Sequence, residues 1–340
     1  IALRRRVLRR VLVLVQPAIV VVRFRATMHD QDQRHTLAAG AVQRVVEVCR
    51  RLRRPLTVRG RGTGTTGAAV PEDGGVVLSM ERMARVLAVD ADNRVAVVQA
   101  GVTNGALQAA AASAGFFWPP DPGSADYSTV GGNLACNAAG PRALKYGTPR
   151  ENTLGLEAVT GEGQAIRTGC YTTKGVVGLD LTRLLIGSEG TLAIITEATL
   201  KLTPLPEAVA TLRAAYTDMH AAAAAVSRLM AQPVVPRVLE FLDGAALELL
   251  RARDPGDLPA AAGALLMIEA DGLAAQLPAA SEALERAAAG PGQVEWRAAR
   301  DPAEAAALWA ARKALSPALG TLAPKKINED VVVPVSRIPS

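Results

Sequence analysis

The sequence predicts an α+β protein built as two successive domains, and three observations carry that prediction. Short β-branched runs separated by glycine clusters occupy the chain to about residue 204. Alanine-rich helical segments alternating with strands follow. Between the two regimes stands Thr203-Pro204-Leu205-Pro206, where two prolines end a strand-like run. Length and composition agree: 340 residues suit two domains of ordinary size, and 49% hydrophobic against 21% charged residues supplies sizeable cores and excludes wholesale disorder.

In the first part, Leu56–Val58, Val76–Met80 and Arg94–Gln99 have the composition of strands, and Thr103–Ala114 that of a helix with Thr103 at its N-cap. Glu157–Arg167 reads as a hairpin with Gly161 and Gly163 flanking the turn, Asp180–Leu185 as a short helix, and Thr191–Leu202 as a long β-branched strand. In the second part the predicted order is strand Ala208–Tyr216, helix Asp218–Ala231, strand Arg237–Leu242, a short helix, strand Gly263–Glu269, helix Leu273–Ala289, strand Gln293–Ala298 and helix Asp301–Leu319. That alternation predicts a small sheet with helices on one face, of ferredoxin-like type.

Charge is unevenly placed. The chain carries net +6, but residues 1–61 alone carry 15 arginines against Asp30, Asp32 and Glu47. A nucleic-acid-binding face over the whole molecule is therefore not supported. Such a basic run at a terminus is expected to be a solvated, poorly ordered end, with docking to an acidic partner or an anionic membrane surface as the alternative. The apolar run Val11–Val22, interrupted by Gln16 and Pro17, is too short to span a bilayer. Arg23 and Arg25 stand where a signal-peptide cleavage site would belong, so the segment reads as non-targeting. Cys49, Cys136 and Cys170 contain no CxxC pair, which excludes a disulfide framework and a four-cysteine zinc site and suits reduced thiols in a cytoplasmic protein. His29, His35 and His220 have no metal-pair spacing, and no metal site is expected of them.

Three glycine clusters carry the chemistry. In Val58–Pro71, Gly60, Gly62, Gly64 and Gly67 let backbone N–H groups approach an anion, Thr63, Thr65 and Thr66 add hydroxyls, and Arg59 and Arg61 add positive charge. The composition suits a pyrophosphate cradle; a plain surface turn is the alternative. Gly62, Gly64 and Gly67 formally spell GxGxxG, but no room for a helix follows before the next strand, and no Gly-Lys-Ser/Thr occurs. A nicotinamide-type βαβ unit and a Walker loop are both excluded. In Pro119–Gly147, Pro120 and Pro122 stiffen the chain, Thr129, Gly131 and Gly132 offer hydroxyl and backbone donors, Asn133 and Asn137 can bond polar ring edges, and Gly140 and Gly147 permit close approach. The third cluster is Gly187-Ser188-Glu189-Gly190-Thr191. Three such loops in one domain fit one extended ligand carrying phosphates and a large planar ring.

These clusters, in this order, resemble the FAD-linked oxidases of the vanillyl-alcohol-oxidase type, and within them the FAD-binding subunits of glycolate oxidase and D-lactate dehydrogenase. The resemblance continues through Glu240-Phe241-Leu242, Leu308–Leu319 and Lys326–Pro334. It implies a two-subdomain PCMH-type FAD-binding domain over residues 41–204, after an atypical basic segment 1–40, and an α+β ferredoxin-like substrate (cap) domain over 205–340 whose C-terminal part is missing. It implies FAD along Arg59, Gly60–Gly67, Pro120, Thr129, Gly131, Gly132, Asn133, Asn137, Gly140, Tyr146, Glu189, Gly190, Ile194 and Ile195, with the pyrophosphate at Gly60–Gly67 and Thr129–Gly132. Arg312, helped by Ser316, would pair with a substrate carboxylate. Covalent attachment in this superfamily commonly uses a histidine in the first loop; none lies between His35 and His220, so the expected FAD is dissociable.

Departures from the family pattern are Ala68 after Gly67, Leu179 in place of an aromatic, and Ala193 in place of glycine. Relatives also continue with segments that supply a catalytic base and divalent-metal ligands. Those segments have no counterpart in these residues, and His220 reads as a surface helix residue, so the base is unassigned. The activity implied is oxidation of a small 2-hydroxy acid by hydride transfer to flavin N5, in a cytoplasmic protein without a transmembrane segment and peripheral to the inner face of the membrane through iron–sulfur and second flavoprotein-like partner subunits. The alternatives are a non-catalytic or truncated FAD-binding subunit and an alkylglycerone-phosphate-synthase-like flavoenzyme.

Overall fold

A computed structural model describes residues 11–16, 19–24, 34–72, 74–253, 256–320, 322 and 331–338. Its contacts divide the chain into two units, Ile1–Gly140 with Tyr146–Leu205, and Pro141–Lys145 with Pro206–Ser340.

The first unit holds two main sheets. β1 (Val11–Gln16) and β2 (Ile19–Phe24) form an antiparallel hairpin, and β2 runs parallel to β4 (Gly75–Ser79), which in turn runs parallel to β3 (Leu56–Arg59). Of the arginine-rich N-terminal segment expected to be a poorly ordered end, residues 11–16 and 19–24 are therefore strand; residues 1–10 lie outside the described set. The reason is the β-branched run itself, which joins the edge of β4 and buries Val22. Helix α1 (Arg34–Arg51), which sequence patterning did not single out, puts Val42, Val46 and Cys49 on one buried stripe at helical spacing.

The second sheet is antiparallel throughout, in the order β5 (Val86–Asp90), β6 (Val95–Gln99), β10 (Ala193–Lys201), β8 (Thr153–Thr160), β9 (Ala165–Gly169). β6, β8 and β10 supply buried Val98, Ala158, Val159, Ala198 and Leu200 to the core beside fully buried Trp118, whose Nε1 donates to the Asn152 carbonyl at 3.0 Å. The predicted helix after β6 is α2 (Asn104–Ala112), and the Thr103 hydroxyl caps it by accepting from Ala106 N at 3.2 Å. α3 (Val130–Cys136) and α4 (Ala143–Tyr146) lie in the second glycine cluster, and α5 (Leu181–Leu185) is capped by Asp180. β7 (Phe116–Phe117) and β11 (Thr203–Pro204) close a short two-stranded ladder.

The second unit is one four-stranded antiparallel sheet, in the order β13 (Val238–Leu242), β14 (Ala264–Gly272), β12 (Ala208–Tyr216), β15 (Gln293–Ala298). Read by strand number within the unit the order is second, third, first, fourth, the ferredoxin-like arrangement. Its helices are α6 (Met219–Met230), α7 (Gly244–Arg253), α8 (Leu277–Ala288) and α9 (Pro302–Leu319). Alternation along each strand sorts the side chains to two faces. Leu212, Tyr216, Leu266 and Ile268 pack with Ala222, Val226 and Leu229 of α6 and Leu284 and Ala288 of α8. Ala215, Leu242, Leu265 and Met267 pack with Leu247 and Leu250 of α7 and Leu308 and Ala318 of α9. Helices therefore cover both faces, where the sequence predicted one; the reason is that β14 is apolar on both sides, from Ala264 to Ile268.

Leu266 is fully buried at the centre of the first of these cores. Leu266→Ala is expected to lower stability by about 2–5 kcal/mol, read as a reduced urea midpoint, because the cavity cannot collapse between sheet and helices.

Candidate functional site

The three glycine clusters meet in one cleft of the first unit. Its walls are Val58, Gly60, Arg61, Gly62, Thr63, Gly64, Thr66, Ala68 and Ala69 from the first cluster, Gly132, Ala135 and Cys136 from the second, and Glu189 from the third. Among the described residues between Gly67 and β4 the chain passes through turns and no helix, as its composition predicted.

Local chemistry explains the convergence. Gly60 lies so close to α3 that a Cβ there would stand 2.3 Å from the Thr129 hydroxyl oxygen. That hydroxyl is the N-cap of α3 and accepts from Gly132 N at 3.2 Å, so the first loop abuts the cap of the second. At the other end of α3, Gly187 N donates to the Leu134 carbonyl and Glu189 N to the Ala135 carbonyl, each at 2.9 Å. The Leu134 carbonyl also accepts from the capping Asn137 N at 3.1 Å, so the third loop adds a second donor there, and at Ala135, in the last turn of the helix, it supplies the donor that the helix itself does not. Arg150 clamps the same loop, its Nε and Nη2 donating to the Ile186 carbonyl at 3.2 and 3.0 Å. Asn137 ends α3 in the left-handed region at φ 50°, and its Oδ1 accepts from Arg150 N at 3.3 Å. Glu189 holds φ 52° at the cleft wall.

Other residues expected at the ligand lie off the cleft wall. Gly131 N donates to the Ala100 carbonyl at 2.8 Å, which ties α3 to the end of β6. The Arg59 guanidinium packs over Gly62. The Pro120 carbonyl accepts from Asn104 Nδ2 at 3.0 Å, and Gly140 lies against the Asp121 backbone. The Tyr146 ring meets Phe117 edge-on at 5.3 Å. Ile194 and Ile195 are core residues of β10, and Thr65 and Gly190 are exposed or half-buried loop positions. Asn133 is buried on α3, and among the described residues its Nδ2 has no hydrogen-bond partner. Ala135 and Cys136 went unnoticed because nothing marks them in sequence except their place on a short helix. Burial raises the Cys136 thiol above its ordinary pKa, and the neighbouring Glu189 charge adds to it.

The second unit concentrates its polar groups at one end of the α7/α9 face. Arg312 Nε donates to Glu240 Oε2 at 2.6 Å. Trp309 Nε1 donates to Glu269 Oε1 at 2.7 Å, Thr211 Oγ1 donates to the same oxygen at 3.3 Å, and Arg237 Nε stands 3.3 Å from Glu269 Oε2. Asp271 pairs with Arg237 and with Lys145. Arg312 is thus half-buried in an ion pair, Ser316 lies on the same helix with its side chain outside the described set, and His220 is exposed on the first turn of α6. Among the described residues no group of three or more His, Cys, Asp or Glu could hold a metal ion, and no helix is long and apolar enough to cross a membrane.

Residues 38–169 match the family profile described as FAD binding domain, and residues 205–340 the profile described as FAD linked oxidases, C-terminal domain. The glycolate oxidase subunit GlcD of Bacillus subtilis is 42% identical over 297 residues, 87% of this chain and 63% of that protein. The D-lactate dehydrogenase of Archaeoglobus fulgidus is 47% identical over 195 residues, 57% of this chain and 43% of that one. The chain therefore spans less than two thirds of the length of these curated relatives. Among solved structures, alkyldihydroxyacetonephosphate synthase superposes with a TM-score of 0.66 at 24% identity, over 83% of this chain and 57% of that one. The 4-ethylphenol oxidase of Gulosibacter chungangensis superposes at 0.67 and 20% identity, over 84% and 63%. At these identities the likeness is one of fold.

The left-handed end of α3 gives a direct test of the loop docking. Asn137→Ala is expected to cost about 1–2 kcal/mol, seen as a lower thermal midpoint, whereas Asn137→Gly keeps the conformation and loses less.

Proposed function

This chain belongs to the FAD-linked oxidases, and we propose that it binds FAD non-covalently and oxidises a small 2-hydroxy acid, of the glycolate or D-lactate type, to the 2-oxo acid. The observation that carries the cofactor part is the convergence of the three glycine clusters on one cleft. The residues present fit the group. A Cβ at Gly64 would come to contact distance, 3.7 Å, of Cys136 Sγ, so glycine leaves the first loop's backbone uncovered where it meets the second cluster at the cleft wall. Backbone N–H groups and the hydroxyls of Thr63 and Thr66 suit phosphate oxygens. The unpartnered Nδ2 of Asn133 is a buried donor on the helix that bears Gly132. Gly60, Gly62, Thr63, Gly64, Thr66 and Gly132 would hold the pyrophosphate, with Glu189 along the adjoining ring or ribityl chain.

When bound, FAD supplies a hydride acceptor for the substrate Cα–H. The chain's own contribution to that reaction is recognition and orientation. Arg312 offers a fixed, permanently charged fork that would hold the 2-hydroxy acid by its carboxylate. The kinship with a glycolate oxidase subunit and a D-lactate dehydrogenase supports this substrate class.

The test is direct. Purified chain is expected to carry the flavin absorbance bands, to release flavin into the supernatant on acid precipitation, and to lose its oxidised-flavin band under anaerobic D-lactate or glycolate. Flavin remaining with the precipitated protein would defeat non-covalent binding; a band unmoved by either acid would defeat the substrate class. A second readout needs no turnover. Cys136 is exposed on the cleft wall but its thiol pKa is raised, so iodoacetamide is expected to alkylate it more slowly at pH 7.5 than an unperturbed thiol, and FAD is expected to slow it at least severalfold further. Cys170, which is exposed away from the cleft lining, serves as the internal control in the mass spectrum.

A further inference from the structure

The polar end of the α7/α9 sheet face holds a feature that the assignment of Arg312 does not use. Trp309 and Arg312 stand three residues apart on α9 and therefore project from neighbouring positions on one side of the helix. Each meets a carboxylate: Trp309 Nε1 donates to Glu269 and Arg312 Nε to Glu240. The two carboxylates come from adjacent strands. Glu269 of β14 is opposite Val238, and Glu240 of β13 is opposite Met267, so both project from the same face of the sheet, two residues apart in register. α9 is thus pinned at two points, and Glu269 is itself held by Thr211 and Arg237.

The pairing at Arg312 is one-sided. Glu240 engages Nε alone, at 2.6 Å, and among the described residues Arg312 makes no other hydrogen bond. A guanidinium has two edges that can grip a carboxylate in a two-point fashion, one formed by Nε with one Nη and one formed by the two Nη groups. With Nε taken, the second edge is the one left to a ligand, and the plane of the guanidinium cannot turn about its stem without surrendering the bond to Glu240.

We infer that Glu240 is a positioning residue: by holding Nε it presents the Nη1–Nη2 edge of Arg312 to an incoming substrate carboxylate. The inference rests on the proposed role of Arg312 as the carboxylate fork, and it adds that the fork is preorganised by its neighbour on β13. A role in charge alone would act the other way, because a carboxylate beside Arg312 repels a second carboxylate. The two roles therefore predict opposite effects of removing Glu240.

The experiment is calorimetric titration of oxalate, a two-carbon diacid mimic of the substrate, into the full chain, with flavin content read separately from absorbance and folding from the thermal midpoint. Glu240→Gln keeps an oxygen that accepts from Nε and is expected to bind oxalate within about threefold of the unmodified chain. Glu240→Met removes the acceptor and is expected to bind about tenfold more weakly. Glu240→Ala replaces it if the methionine variant does not fold. Binding by Glu240→Met or Glu240→Ala as tight as, or tighter than, the unmodified chain overturns the positioning role. If Arg312→Leu abolishes binding in that case, the fork itself stands. Oxalate binding unchanged in Arg312→Leu, or absent from the unmodified chain, overturns the fork and the positioning role together, whatever the flavin content shows.

Discussion

Loop docking through orphan helix carbonyls is the interaction on which the first unit's cleft depends. A helix of seven residues leaves most of its carbonyls without intrahelical donors, and α3 gives those of Leu134 and Ala135 to Gly187 N and Glu189 N. Each bond contributes only about 0.5–1.5 kcal/mol net, and leaving a carbonyl unmet costs about 1–3 kcal/mol, so undocking the third loop forfeits both bonds and strips the Ala135 carbonyl of its donor, while that of Leu134 keeps Asn137 N. Close approach of Gly60 to Thr129 does the same work at the opposite end of the helix. The first and third clusters, far apart in sequence, are thereby held against one short helix of the second, and a ligand that touches all three clusters meets a surface already assembled.

The second unit divides its sheet differently. Both faces of β14 are apolar through Ile268, and then the strand places Glu269 and Asp271 on the α7/α9 side. Charged groups buried at that end are tolerated because each has partners: Glu269 receives Trp309 and Thr211 and faces Arg237, and Asp271 is paired with Arg237 and Lys145. The apolar part of the face fixes the helices, and the polar end is where the proposed carboxylate fork stands. Apolar packing and the charged network are thus separated along a single strand by where its alternation turns from aliphatic to acidic.

Much of this was legible in the chain. Ala208–Tyr216 and Gln293–Ala298 are strands with the boundaries their composition suggests, and Thr103 caps a helix as its hydroxyl and position imply. Where the prediction went astray, tertiary context overrode local preference. Helix α3 contains Gly131-Gly132, poor helix formers, yet it forms because Thr129 caps it and Val130 and Leu134 are buried. The strands at Val11–Gln16 and Ile19–Phe24 were obscured by the arginines around them; β4 gives β2 a partner that no window of sequence contains. The helix expected from Leu273 begins as α-helix only at Leu277, after a 3-10 turn, with Pro278 in its first turn.

Chemical identity could be read from the order of residues alone: three glycine-bearing clusters able to approach phosphates, an arginine set among apolar helix positions, and strand and helix periods that specify an α+β chain in two parts. Which of those residues stand together became visible only in the folded chain. Gly132 and Glu189 join the cleft wall, while Thr129, Gly131 and Asn137 shape the helix behind it, and Arg312 meets Glu240, 72 residues away in the chain. The physical reason is that backbone hydrogen bonds and ion pairs between distant segments depend on direction as well as composition. A glycine at a contact and a glycine in a wall are the same letter until the chain has folded.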